Sequence, residues 1–267
     1  MSETLTQETI EKLKSDFETI GYCLAKEIFS PKEVEEINQH FEEVHADGGV
    51  PGFYTPESKE ASEGDVLREF PRVGHPHRFS EKAKSYMINE KIGAILTALF
   101  EEEPLATQSM YYFKPPGARG QSLHQDQYYL KVKPGTCIAS WTALDFCDRE
   151  NGGMMVVPET QNLEIDCSKV GEANSYEGGP SIPIPDGLKA TIPAMEAGDT
   201  LFFNGSLIHG SGPNRTKDRW RRSFIGHYVG KSCISITDHY SPMVDFEGND
   251  VEKEVTTDGG PCGGVLR

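Results

Sequence analysis

Positive charge is scarce in this chain: 26 Lys and Arg stand against 42 Asp and Glu over 267 residues, a formal net charge of -16. So acidic a surface offers little cationic face to phosphate backbones or anionic lipid, and nucleic acid is not an expected partner. The chain also lacks any run of about 18 apolar residues, which a membrane-spanning helix needs. Its first residues are polar and acidic, without the basic-then-apolar order of a secretory leader, so a cytoplasmic location is expected. Cysteines are scattered (Cys23, Cys137, Cys147, Cys167, Cys233, Cys262) with no Cys-x-x-Cys pair. That argues against a cysteine-built zinc site and suits reduced thiols in a reducing compartment.

What is present is an ordinary globular composition, 36% hydrophobic and 25% charged, which supports a sizeable core and excludes wholesale disorder. We expect one domain over 1–267: a mainly helical layer and loop over 1–107, a barrel core over 108–230, and a C-terminal strand and tail over 231–267. Leu5, Thr9, Leu13, Phe17 and Ile20 form one helical stripe over about 6–20, capped by Thr6 or Thr9 and ended by Gly21. A short strand is expected over 22–28. Ser30-Pro31 then opens a helix through Val34, Ile37, Phe41 and Val44. Residues 47–64, rich in Gly, Pro, Ser and Glu, read as a mobile loop, and helical spacing returns over about 81–100.

From Gln108 onward the texture changes to short β-branched and aromatic runs over 109–113, 128–132, 136–144, 154–157, 200–204 and 223–229. Helices gathered early and strands late predict an α+β protein built on a double-stranded β-helix, a jelly roll or cupin-like barrel with an N-terminal helical layer. The segment 164–193 resists strand assignment and reads as a lid or insertion. The tail from 248 is expected to be disordered or to fold back over the mouth.

The informative segment is Leu123-His124-Gln125-Asp126-Gln127-Tyr128-Tyr129. On a strand, residues two apart share a face, so His124 and Asp126 can converge on one metal ion. A third ligand must come from elsewhere, and His209 follows the apolar run Thr200-Leu201-Phe202-Phe203. Two imidazoles and a carboxylate on one face of a metal leave the opposite positions open for a chelating substrate and O₂. Farther on, Arg221, Ser223, Ile225 and His227 alternate to one face, so a guanidinium can point inward beside the metal and grip a carboxylate bidentately. Arg219 and Arg222 are expected to be solvated, as are Lys131 and Lys133 on a strand's wet face. A His-x-Asp triplet by itself is weak, since such pairs commonly sit hydrogen-bonded on surfaces and in turns.

Taken together, these blocks resemble the phytanoyl-CoA dioxygenase family of 2-oxoglutarate oxygenases. The resemblance runs from Met110 through Lys114-Pro115-Pro116, His124-Gln125-Asp126, Trp141-Thr142-Ala143 and Asn151-Gly152-Gly153 to Gly198-Asp199-Thr200, His209-Gly210-Ser211 and Arg221. It implies an iron(II) enzyme that consumes 2-oxoglutarate and O₂, with iron on His124, Asp126 and His209. It also implies Arg221 and Ser211 on the cosubstrate's distal carboxylate, and Met110, Trp141 and Arg72 at the cosubstrate pocket. The ordinary alternative for Met110 and Trp141 is core packing. The spacing from His209 to Arg221 is one residue longer than in relatives. Because Asp126 stands where halogenases of this class have Ala or Gly, hydroxylation of an aliphatic C–H bond is expected rather than chlorination, with desaturation or ring closure as open alternatives.

The expected substrate is a small zwitterion, aminophosphonate or secondary metabolite, since no basic patch is evident for a coenzyme A thioester. The competing readings are a cupin-like metal enzyme without 2-oxoglutarate, a noncatalytic binding module on the same barrel, and a structural zinc protein, which would want four closed ligands. Tyr111, Phe113, Tyr128 and Tyr129 face either pocket or core, and His75 and His77 either touch substrate or lie in a solvated turn.

Overall fold

The structure, a computed structural model, describes residues 5–165 and 182–256. It opens with α1 (Gln7–Ile20), β1 (Tyr22–Ala25) and α2 (Pro31–Ala46), then α3 (Val66–Glu69), β2 (Val73–Gly74), α4 (Glu81–Met87) and α5 (Glu90–Phe100). β3 (Pro104–Tyr112), β4 (Gln121–His124), α6 (Gln127–Leu130), β5 (Ile138–Ala143) and β6 (Met154–Val156) follow. The chain continues through β7 (Thr200–Asn204), β8 (His209–Ser211), β9 (Ser223–Gly230), β10 (Ser235–Thr237), β11 (Met243–Val244), β12 (Asp250–Val251) and β13 (Glu254–Thr256).

Local chemistry sets the helix ends. Thr6 caps α1 by accepting from Thr9 N at 3.2 Å, and Gly21, at φ 84°, supplies the left-handed residue that ends it. Ser30 and Glu33 form a reciprocal capping box around Pro31 at the start of α2. A second cap, Asn89 accepting from Lys91 N at 2.9 Å, starts α5, so the single helical stretch expected over 81–100 is two helices divided at Ile88.

The strands build a jelly roll. The larger sheet runs β1-β7-β5-β9-β3-β11-β12 with β2 added on β3, and the smaller one runs β4-β8-β6. Central strands of the larger sheet are buried on both faces, which is why they read as continuous apolar runs rather than alternating ones. Trp141, Leu201, Phe203 and Ile225 point between the sheets, where they meet Met154 and Val156 of β6. The intervening Phe202, Phe224 and Tyr228, with Tyr111, pack instead on Phe17, Ile37, Phe41 and Ile95 of the helical layer. Phe41 stacks on Tyr111 at 4.0 Å between ring centroids and is fully buried; truncating such a side chain costs about 3–5 kcal/mol.

Three expectations need correction. The run 128–132 is not a strand: Asp126 adopts helical backbone (φ -62°, ψ -33°), the chain turns into α6, and the Gln127 amide donates to Val132 O at 2.9 Å. Lys131 therefore sits at the left-handed end of that helix, 9% exposed, rather than on a wet strand face, whereas Lys133 is exposed. The first strand stops at Ala25, before Glu27 takes a positive φ of 50°. Residues 47–64 are a loop as expected, held down by Tyr54, whose hydroxyl lies 2.7 Å from His45 Nδ1. Of the proposed lid, 166–181 lie outside the described residues, as do 257–267 of the tail; β12 and β13 form from what precedes them.

Candidate metal centre

His124 ends β4 and His209 begins β8, and the two are direct partners across that antiparallel pair. Sheet register, not sequence proximity, thus puts the rings 4.2 Å apart between centroids. Asp126 reaches them by a different route from the one the His-x-Asp spacing suggests. It is not a strand residue two positions along the same face. The turn into α6 swings its carboxylate back, so that Oδ1 lies 3.6 Å from His124 Nε2 and 3.5 Å from His209 Nε2.

Among the described residues, these three form a group able to hold a metal ion, with candidate ligand atoms within 4.8 Å of one another and all three side chains buried. Each imidazole is oriented for the task. His124 Nδ1 lies 2.8 Å from Ser122 O and His209 Nδ1 2.9 Å from Leu207 O, so Nδ1 carries the proton and the Nε2 lone pair faces the centre. Ligand atoms at right angles about an ion of ordinary M–N distance stand about 3 Å apart, so the Nε2–Oδ1 separations of 3.6 and 3.5 Å would close by about half an ångström around a bound ion. Two neutral nitrogens and one carboxylate oxygen fit iron(II) and lack the cysteine-rich closure of structural zinc.

The electrostatics keep this donor set in its ligating form. Burial alone would raise the Asp126 carboxyl, but the neighbouring His209 and His227 rings hold it well below the usual range. Burial, with the neighbouring His209, pushes His124 down and favours its neutral state. His227 of β9 donates from Nε2 to Asp126 Oδ2 at 3.0 Å, leaving Oδ1 for the metal. The Gln121 amide lies 3.2 Å from His124 Nε2 and must release that nitrogen when an ion binds.

A cationic pocket adjoins the centre, lined by Tyr112, Lys114, Arg119, Gln121, Ser211 and Arg221. Arg221 is 4% exposed; its Nε donates to Gly152 O at 3.1 Å and Nη1 to Ser223 Oγ at 2.8 Å. Its guanidinium stacks near Trp141 at 5.2 Å from the ring centroid and near Tyr112 at 5.9 Å. Lys114, also buried, donates to Ser211 Oγ at 2.8 Å and Gly212 O at 2.7 Å.

The structure therefore brings Arg221, Ser211 and Trp141 together. Met110 faces the barrel interior, opposite Ile225. Arg72 does not line that pocket; it stands just before β2, where its positive field reaches Tyr129, His239 and Tyr240. Arg221 precedes β9 rather than beginning it, yet keeps the parity of Ser223 and His227.

The expectation of solvated neighbours fails for Arg222, whereas Arg219 stays partly exposed in a surface ion pair. Arg222 grips Asp145 through Nε and Nη2 at 3.0 and 2.7 Å, and Arg219 pairs with Asp148 at 2.9 Å. Of the aromatic residues, Tyr111 and Tyr128 are core, Phe113 is buried and also lines the cationic pocket, and Tyr129 is half-buried with its ring 6.2 Å from that of His124. His75 and His77 are each 6% exposed, so a solvated turn is excluded. Lys114 and His227 were passed over as candidates in the sequence; the signals were the Lys-Pro-Pro block and the shared parity of His227 with Arg221.

The family model described as Phytanoyl-CoA dioxygenase (PhyH) matches residues 17–223. The peroxisomal phytanoyl-CoA dioxygenase of Mus musculus is 26% identical over 243 residues, covering 85% of this chain and 70% of that one. The Homo sapiens protein of the same name is 32% identical over 162 residues, 57% and 45% of the two chains. Among solved structures, the epimerase SnoN in complex with Fe3+, alpha ketoglutarate and nogalamycin RO superimposes with a TM-score of 0.68 at 18% identity over 86% of each chain. The carbocyclase SnoK from nogalamycin biosynthesis gives a TM-score of 0.68 at 18% identity over 96% and 98%. At that identity, the likeness is one of fold.

Proposed function

The chain belongs to the phytanoyl-CoA dioxygenase family, and from that premise we propose that it hydroxylates an aliphatic C–H bond of a small molecule, with His124, Asp126 and His209 holding the iron. It is an iron(II)- and 2-oxoglutarate-dependent dioxygenase. The observation that carries the assignment of ligands is the convergence of two Nε2 lone pairs and one carboxylate oxygen, with each Nδ1 already committed to a backbone carbonyl. When bound, iron(II) supplies the coordination sites and reducing electrons through which 2-oxoglutarate and O₂ react to oxidise the substrate, releasing succinate and CO₂.

The chain's own residues bind, orient and exclude. His227 engages Asp126 Oδ2, so the carboxylate would offer a bound iron its other oxygen, Oδ1. Arg221 and Ser211 receive the distal carboxylate of 2-oxoglutarate, a reading supported by their shared pocket and by the guanidinium lying over Trp141, with Trp141 and Met110 walling its carbon chain. The packed interior around Trp141, Leu201, Phe203 and Ile225 keeps water from the reacting atoms. Because both imidazoles and the carboxylate are present and pre-oriented, an enzyme is favoured over a noncatalytic module on the same barrel.

A small free substrate is favoured over a coenzyme A thioester by the net charge of -16. No described helix is long and apolar enough to cross a membrane. The test is anaerobic loading with iron(II) and 2-oxoglutarate, then O₂ and a panel of small zwitterions, aminophosphonates and secondary metabolites. Succinate release matched by a product heavier by one oxygen atom is expected. Succinate matched by loss of two hydrogens or by inverted stereochemistry would replace hydroxylation with desaturation, ring closure or epimerisation. Iron bound without succinate release on any substrate would overturn the reading.

A further inference from the structure

The donors around Ser211 do not balance within the protein. Ser211 Oγ accepts from Lys114 Nζ at 2.8 Å and from Gln121 N at 3.3 Å, which uses both lone pairs and leaves its own proton to donate. No acceptor for that proton is present among the described residues. Lys114 has three N–H donors and spends two, on Ser211 Oγ and Gly212 O. It has no acidic partner among the described residues, although it is 5% exposed and shares the pocket with a second cation, Arg221. A buried ammonium without a counter-charge is costly, and burial together with Arg221 pushes this one well below the ordinary lysine range.

The fold nevertheless invests in keeping the lysine there. Lys114 takes a positive φ of 38°, its carbonyl accepts from Arg221 N at 3.1 Å, and Gly152 leaves room for its side chain. A Cβ on Gly152 would lie 2.9 Å from Lys114 Cε and 2.5 Å from Gly212 O. A strained backbone, a glycine cut-out and two adjoining cations make a built anion site, not a chance juxtaposition.

We propose that Lys114 is a second cationic contact for the distal carboxylate of the cosubstrate, and that the Lys114–Arg221 pair makes the pocket selective for 2-oxo dicarboxylates over 2-oxo monocarboxylates. The proposal rests on the assignment of 2-oxoglutarate to this pocket. The ammonium's remaining N–H, the Ser211 hydroxyl and the Arg221 guanidinium converge on one oxyanion. The same contact supplies Lys114 with the counter-charge that the described residues do not provide. A monocarboxylic 2-oxo acid would chelate the metal but leave both cations facing a methyl group.

The test uses the full chain in two forms. Metal-free protein is titrated with succinate, read by calorimetry and by quenching of Trp141, whose ring lies against Arg221. Anaerobic iron(II) protein is titrated with 2-oxoglutarate and with 2-oxobutyrate. K114M, close in volume and uncharged, should weaken succinate and 2-oxoglutarate by about 10- to 100-fold, the range of a lost charge-assisted hydrogen bond, while 2-oxobutyrate is unchanged. Should K114M melt below the assay temperature, K114Q carries the test with the same order of preference.

Equal losses for the di- and monocarboxylic acids would make Lys114 a structural support of Ser211 and overturn the proposal, as would wild-type affinity in both variants. If the wild-type chain bound neither 2-oxoglutarate nor succinate, the cosubstrate assignment itself would fail. If the wild type bound both and only R221M lost them, Lys114 alone would be withdrawn.

Discussion

Replacing His227 tests the link between the barrel wall and the metal most directly. Its Nε2 donates to Asp126 Oδ2 at 3.0 Å, and the two side chains are only 4% and 9% exposed. A hydrogen bond from a buried ring to a buried carboxylate contributes about 1.5–3 kcal/mol, which converts to roughly 10- to 150-fold in an equilibrium constant. In H227L that contribution is lost, Oδ2 is free, and the carboxylate can rotate or take a second coordination position. Iron(II) affinity should therefore fall by about 10- to 100-fold, the usual scale for removing such a support. H227Q, which keeps an N–H donor, should recover much of it.

The assay is anaerobic iron(II) titration by metal-chelator competition, run beside thermal melts of the metal-free proteins. The absorption band of the iron(II)–2-oxoglutarate complex reports the coordination mode. H227L with wild-type iron affinity and an unchanged band would refute the argument that this contact governs how Asp126 presents itself. An affinity loss of the same size in H227L and H227Q would assign the effect to packing.

Other consequences can be checked in parallel. D126A should abolish succinate formation coupled to product, measured by quantifying both, since no other carboxylate joins the two imidazoles among the described residues. R221M should raise the 2-oxoglutarate requirement by roughly 100-fold in steady-state kinetics, consistent with loss of a charge-assisted, bidentate grip; wild-type dependence would move the role to another cation. G152A should lower the melting temperature, because the residue sits at φ 77° and an added Cβ meets Gly212 O at 2.5 Å, a strain of about 1–3 kcal/mol. A G152A protein as stable as wild type would contradict that geometry.

Acid should also destabilise the fold. Burial, reinforced by the Arg78 charge, holds His75 to about 2 and His77 to about 3, below the unfolded imidazole value of about 6.5. The unfolded chain therefore binds protons there that the folded chain refuses, and stability falls as pH drops below about 6.5. Two such groups give a slope of roughly 2.7 kcal/mol per pH unit between about pH 5.5 and 4. Denaturant melts across that range should show it, and H75Q/H77Q should flatten it; an unchanged slope in the double variant would sink the assignment.

Residue chemistry alone determined much of this protein. Alternation and capping predicted α1 and α2 nearly to the residue, because Thr6, Gly21, Ser30 and Pro31 act within a few positions of themselves. The order of motif blocks made His124, Asp126, His209 and Arg221 candidates, and period-two parity placed His227 on the face of Arg221. Tertiary structure decided the rest. The turn of Asp126 off its strand, the pairing of His124 with His209 across β4 and β8, and the burial of Lys114 beneath Gly152 each join segments distant in the chain. Arg222 likewise reads as a surface charge until Asp145, on the far side of the fold in sequence, closes on it. Sheet register and side-chain packing are properties of pairs of segments, and a local pattern carries no term for the partner it will meet.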